Sequence, residues 1–129
     1  MSVVNNSKSI SALKELLAKE KFYIDNSTQY PGAPSEEIRL LSQQVIDAII
    51  TALIEMPKEG LSKVQFWGLL EQGAMFYQRL DSEEMDRGLT YMENIMDIYG
   101  IESSDGRLNI WRYGFDPKQS INKPINTAQ

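Results

Sequence analysis

The sequence predicts a mainly α-helical fold: one four-helix-bundle-like domain that ends in a short C-terminal extended or β segment. Three observations predict it. Apolar residues recur at three- and four-residue spacing in four separate stretches. Ser or Asp stands at the head of each stretch, where a helix needs a side-chain acceptor for its unpaired N–H groups. After the turn Ser103-Ser104-Asp105-Gly106 the pattern changes to an alternation of period two.

The first helix is predicted from about Ser9 to Lys21. Ile10, Leu13, Leu16 and Leu17 form its apolar stripe, and Ser7 or Ser9 is its cap. The stretch from Asp25 to Pro34, rich in Asn, Ser, Pro and Gly, is a surface connection. The second helix opens on Ser35, with Glu36 and Glu37 against the positive end of the helix dipole. Ile38, Leu41, Val45, Ala48, Ile49, Ala52, Leu53 and Met56 supply its core stripe, widened by Ile46 and Ile50. Pro57 disfavours helical dihedrals at Met56 and ends it.

The third helix begins with the capping-box spacing Ser62-Lys63-Val64-Gln65 and runs to about Leu80. Gly68 and Gly73 inside it each cost about 1 kcal/mol relative to Ala, so both are read as places where a neighbouring helix comes close. The fourth starts at Asp81-Ser82-Glu83-Glu84 and carries Met85, Leu89, Met92, Ile95, Met96 and Tyr99. Gly100 followed by Ile101 is its left-handed stop. Beyond the turn, Leu108 and Ile110 alternate with Asn109, Trp111 and Tyr113. A strand there could pair with Phe22-Tyr23-Ile24 or with a stretch before the turn, or stay merely extended and pack by its rings. Residues 1–115 are thus one helical domain, and residues 116–129 a polar tail expected to be poorly ordered.

Composition narrows the function. The 42% apolar and 24% charged shares are those of a globular chain and argue against disorder. Zero Cys excludes disulfides and thiolate metal sites. Zero His removes the commonest general base and the commonest metal ligand. Ser7, Ser9, Ser35, Ser62 and Ser82 sit where caps belong, which outweighs a nucleophile reading. No phosphate-binding glycine spacing occurs. No enzyme activity, metal or cofactor is therefore expected. The start of the chain lacks a secretory pattern and no apolar run approaches a membrane span, so the expected compartment is the cytoplasm.

The net charge of −5 is concentrated. Between Asp81 and Glu102 seven acids (Asp81, Glu83, Glu84, Asp86, Glu93, Asp97, Glu102) face one base, Arg87. Acids at a helix N-terminus follow from the dipole alone, and the spacing is not that of a calcium loop. Read functionally, Asp81, Glu83, Glu84, Asp86, Glu93 and Asp97 form a strip that repels nucleic acid and membrane and suits a basic protein partner. Nine of the twelve aromatic residues lie from Phe66 onward, and Trp111-Arg112-Tyr113 is compact, so Trp111 and Tyr113 join the candidate partner surface. The plainer reading places those rings in the core.

The run Ser103-Ser104-Asp105-Gly106-Arg107-Leu108-Asn109, continuing from Trp111 to Pro117, resembles the C-terminal motif of a small bacterial family with no assigned function. In format (short, acidic, cysteine-free, helical) the chain also resembles immunity proteins of bacterial toxin systems such as contact-dependent inhibition. The second resemblance implies a non-enzymatic inhibitor that neutralises a basic toxin domain, a nuclease, and it transfers no residue roles. The alternative is a small-molecule-binding or scaffold module with a Met- and aromatic-lined pocket between helices three and four.

Overall fold

The computed structural model describes residues 2–115; the expected tail, residues 116–129, lies outside them. The order of elements is β1 (Ser2–Val3), α1 (Ser7–Ala18), α2 (Glu36–Ile54), β2 (Leu61–Ser62), α3 (Lys63–Tyr77), α4 (Ser82–Ile98) and α5 (Arg107–Tyr113). The mainly α fold and its bundle of four principal helices match the sequence expectation.

Local chemistry sets most boundaries. Asn6, rather than Ser7 or Ser9, caps α1: its amide oxygen accepts from the Ser9 N–H at 2.8 Å, and Ser9 Oγ accepts from the Asn6 N–H at 2.9 Å. The expected cap is thus the returning half of a capping box. The helix also ends three residues early, at Ala18. Lys21 is the reason. Its ammonium turns back, 1% exposed, and donates to the carbonyls of Lys19 at 2.8 Å and Leu17 at 3.4 Å and to Asp47 at 2.7 Å. A cation on the last carbonyls is favourable for both the hydrogen bonds and the dipole.

Ser35 caps α2 through the Ile38 N–H, and Ser62 and Gln65 form a complete capping box on α3. At the end of α4, Gly100 adopts φ +70°, the Ile101 N–H reaches the Met96 carbonyl at 2.9 Å and the Gly100 N–H reaches Asp97 at 3.1 Å. That double bond pattern is a Schellman stop.

The N-terminus, which carries no strand signal, forms one. Ser2 pairs with Ser62 and Val3 with Leu61, antiparallel. Gly60 makes the approach possible at φ +87°: a Cβ there would lie 2.2 Å from the Val3 carbonyl oxygen.

The expected C-terminal strand is a helix. Residues Arg107–Tyr113 form α5, entered at Gly106 and stopped at Gly114, both at φ +85°. Neither it nor Phe22-Tyr23-Ile24 belongs to the sheet, whose two strands are β1 and β2. Leu108 and Trp111 are three apart, which is also helical spacing. With seven residues, period two and period 3.6 are not separable, and packing decides: Trp111 is 8% exposed, meets Trp67 edge-on at 6.4 Å, and its carbonyl accepts from Gln78.

The core joins Leu13 and Leu16 of α1, Ile46, Ile49, Ile50 and Leu53 of α2, Phe66, Leu70 and Tyr77 of α3, and Met92 and Ile95 of α4. On α2 the buried side is rotated from the expected stripe: Arg39, Ser42, Ile46, Ile49, Ile50 and Leu53 point inward, and Leu41, Ala48 and Ala52 are exposed. Gly73 lets Ile49 and Met92 in, as expected. Gly68 does not play that role, since a Cβ there would meet nothing within 4 Å.

Candidate functional site: the acidic face of helix four

Residues 83, 86, 90, 93 and 97 recur at three- and four-residue spacing, so Glu83, Asp86, Thr90, Glu93 and Asp97 share one face of α4, and all are exposed. The expected strip of six acids is divided by the fold into three groups with different tasks.

Asp81 is the N-cap. Its carboxylate accepts from the Glu83 N–H at 3.0 Å and the Glu84 N–H at 3.3 Å. Glu84 points the other way, into the protein. It is 1% exposed and accepts from the Tyr30 hydroxyl at 2.8 Å. Burial, then hydrogen bonding with Asp81, pushes its carboxyl from the ordinary 4.5 up to about 7. The same bond to Glu84 holds Asp81 below the usual carboxylate range. A protonated Glu84 donating to an ionised Asp81 explains both directions.

Asp86 faces solvent but is paired with Arg112 of α5. The third group, Glu83, Glu93 and Asp97, is exposed and makes no ion pair among the described residues.

Arg87, the one base in the acidic run, turns away from this face toward the 25–30 loop. It donates to Asp25 at 3.0 Å and to Thr28 at 3.1 Å, and lies 4.9 Å from the Tyr30 ring centroid and 5.4 Å from that of Tyr91. The Ser27 hydroxyl and then Arg87 hold the Asp25 carboxyl down at about 2. Tyr91 in turn accepts the N–H of Phe22, a residue at φ +67°. Sequence reasoning missed this buttress. Its one legible signal was the solitary base among the acids. A surface pocket of about 190 Å³ lies between the loop and α4, lined by Thr28, Gln29, Tyr30, Glu83, Asp86, Arg87 and Thr90.

Of the two aromatic candidates, Trp111 is buried against Trp67 and is withdrawn from any partner surface, while Tyr113 is 54% exposed beneath the Arg112 guanidinium. Phe115, 52% exposed, adjoins it with ring centroids 6.4 Å apart. Between α3 and α4, where a ligand pocket was the alternative expectation, the Tyr77 ring occupies the space over Gly88 and the Met92 methyl that over Gly73. Among the described residues no group of His, Cys, Asp and Glu could hold a metal ion, and no helix is long and apolar enough to cross a membrane.

The model of one protein family, the domain of unknown function DUF4844, matches residues 4–116. The chain is also similar to a DUF3571 family protein from Acinetobacter baumannii AYE, known from a crystal structure at 1.95 Å resolution. Identity is 26%, the TM-score is 0.67, and the match covers 89% of this chain and 95% of that one. No curated protein matches. A family without assigned function accords with the first resemblance read from the sequence; the immunity-protein likeness has no counterpart in either match.

Proposed function

We propose that this chain, which belongs to the DUF4844 family, is a non-enzymatic interaction module whose α4 face receives a basic protein surface. The observation that carries the reading is the alignment of Glu83, Glu93 and Asp97 on one exposed face, with no ion pair to any of them among the described residues. Carboxylates presented this way raise the association rate of a cationic partner and set its orientation. Asp86, held by Arg112, leads from that face to exposed Tyr113 and Phe115, an apolar anchor of the kind that fills a partner's pocket. The partner class that suits an acidic, rigid helix is a basic toxin domain such as a nuclease, whose cationic substrate-binding residues the helix would cover.

The test is binding to the product of an adjacent basic toxin gene, measured across salt concentration. The expected result is tight binding whose on-rate falls as salt rises, and falls by roughly tenfold or more in the Glu83→Gln, Glu93→Gln, Asp97→Asn triple variant. A toxin bound equally well by that variant, or bound only at very low salt, overturns the proposal.

A further inference from the structure

Two surface pockets open along the exposed face of α4, one toward each end. The first is the pocket between the 25–30 loop and the start of the helix. The second, of about 300 Å³, lies between α1 and the end of α4, against Ala12, Leu16 and Ile98. Residues 83, 87, 90, 94 and 97 stand three or four apart, so both pockets fall on one stripe of α4. Their centres are about ten residues apart along it, or about 15 Å at the helical rise. The facing wall is continuous as well. Leu16 and Lys19 share the second pocket with Ile98, then the chain runs back along α4: the Phe22 N–H meets Tyr91, Asp25 meets Arg87 and Tyr30 meets Glu84.

The two pockets are built alike. Each is lined by two acids and one base: Glu83 and Asp86 with Arg87 in the first, Glu15 and Asp97 with Lys19 in the second. Adding Asp25 and Arg112, the ion-pair partners of Arg87 and Asp86, leaves the first pocket with the same single net negative charge. Glu15, Glu83 and Asp97 are exposed and in no ion pair among the described residues. A carboxamide completes each lining, Gln29 in one and Asn94 in the other. Carbon surface comes from Tyr30 in the first and from Ala12, Leu16 and Ile98 in the second. Such walls suit lysine or arginine, whose methylene stem packs on apolar surface while its charged head stays at a polar edge. Size favours a single side chain over a free ligand. Volumes of about 190 Å³ and about 300 Å³ lie at or below the floor of the roughly 300–1,000 Å³ pockets that enclose a whole small molecule.

We infer that these pockets seat two basic side chains of one protein partner, about 15 Å apart along α4. For the identity of that partner the inference rests on the function proposed above; the pockets themselves are tested without it.

The experiment is an amide NMR titration of the full chain with N-acetyl-L-arginine amide, beside the Thr90→Phe and Asn94→Phe variants. Thr90 and Asn94 are exposed and line the first and second pocket respectively, so each substitution fills one pocket and leaves the formal charge unchanged. Far-UV circular dichroism checks that both variants are folded. The expected result is saturable shifts at both pockets of the wild type, with affinity lowered by roughly tenfold or more at the filled pocket alone in each variant. With a cognate basic toxin, each filled variant should dissociate roughly tenfold faster while the salt dependence of its on-rate stays that of the wild type. Buried anchors act on dissociation, whereas the exposed carboxylates act on association. Shifts at neither pocket, or shifts spread equally over every exposed carboxylate of the chain, overturn the inference. A toxin that responds to the triple carboxylate variant but leaves both filled variants at the wild-type off-rate also overturns it, and keeps the proposed function. Arginine amide seated in both pockets of a chain that binds no toxin supports the pockets and overturns the toxin reading.

Discussion

At the scale of single residues, Glu84 shows how one buried carboxyl couples the fold to pH. Its folded value of about 7 stands above the ordinary 4.5, so between those values the folded state binds the extra proton. Stability therefore falls as pH rises from about 4.5 to about 7, by at most about 3 kcal/mol, and is flat in this respect above. Glu84→Gln keeps an acceptor for Tyr30 and a donor for Asp81 without the charge. Its melting temperature is expected to match the wild type near pH 4.5 and to exceed it above pH 7. Asp25 works in the opposite direction: its depressed carboxyl stabilises the fold above its ordinary range, and that contribution disappears as pH falls toward about 2.

Glycines supply a second contrast at this scale. A Cβ at Gly88 would sit 2.6 Å from the Tyr77 ring, which is fixed by its own hydrogen bond to Ser42. Gly88→Ala should cost about 1 to 3 kcal/mol in denaturant unfolding, because the core has no slack to absorb the methyl. Gly68→Ala adds its methyl to open space and should stabilise the fold by about 1 kcal/mol. The two glycines look alike in sequence, each within a helix of good formers. Only the neighbour supplied by tertiary packing separates them.

At the scale of elements, α5 is the informative case. Its N-cap, Gly106, has no side chain, its first turn is met by the Ser104 Oγ, which accepts from the Leu108 N–H at 3.2 Å, and seven residues are too few to be helical alone in water. Its docking rests on Trp111 against Trp67, on Gln78 and on the Arg112–Asp86 pair. Trp111→Ala should destabilise by about 3 kcal/mol and release α5 first, seen as loss of hydrogen-exchange protection at 107–113 before the rest of the bundle. The elements that were legible, α2 to α4, are those of four or five turns with complete caps at their starts. Those misjudged were short. The two-residue strands and α5 depend on partners far away in the chain, whereas Asn6 and Ser9 cap the start of α1 within a single turn.

For the whole molecule, the same sequence feature separates into structure and surface. A run of acids read as one strip becomes a cap at Asp81, a buried hydrogen-bonded group at Glu84, a paired group at Asp86, and three exposed carboxylates with no ion pair among the described residues. The residues that face solvent are set by the rotation of α4 about its axis, which the packing of Met85, Leu89, Met92 and Met96 fixes. Had Glu84 faced outward, Tyr30 would have lost its acceptor and the 25–30 loop one of its attachments, leaving those from Arg87 to Asp25 and Thr28. The proposed partner surface is thus a by-product of how the core is filled.

The sequence by itself determined the helical class, the starts of α2, α3 and α4, the left-handed stop at Gly100 and the absence of thiol or imidazole chemistry. Each follows from neighbours within four residues or from composition. Tertiary structure decided which side of α2 is buried, that residues 107–113 coil, and which carboxylates cap, are buried or are paired. Those outcomes depend on side chains tens of residues apart competing for the same volume, and no local spacing records that competition.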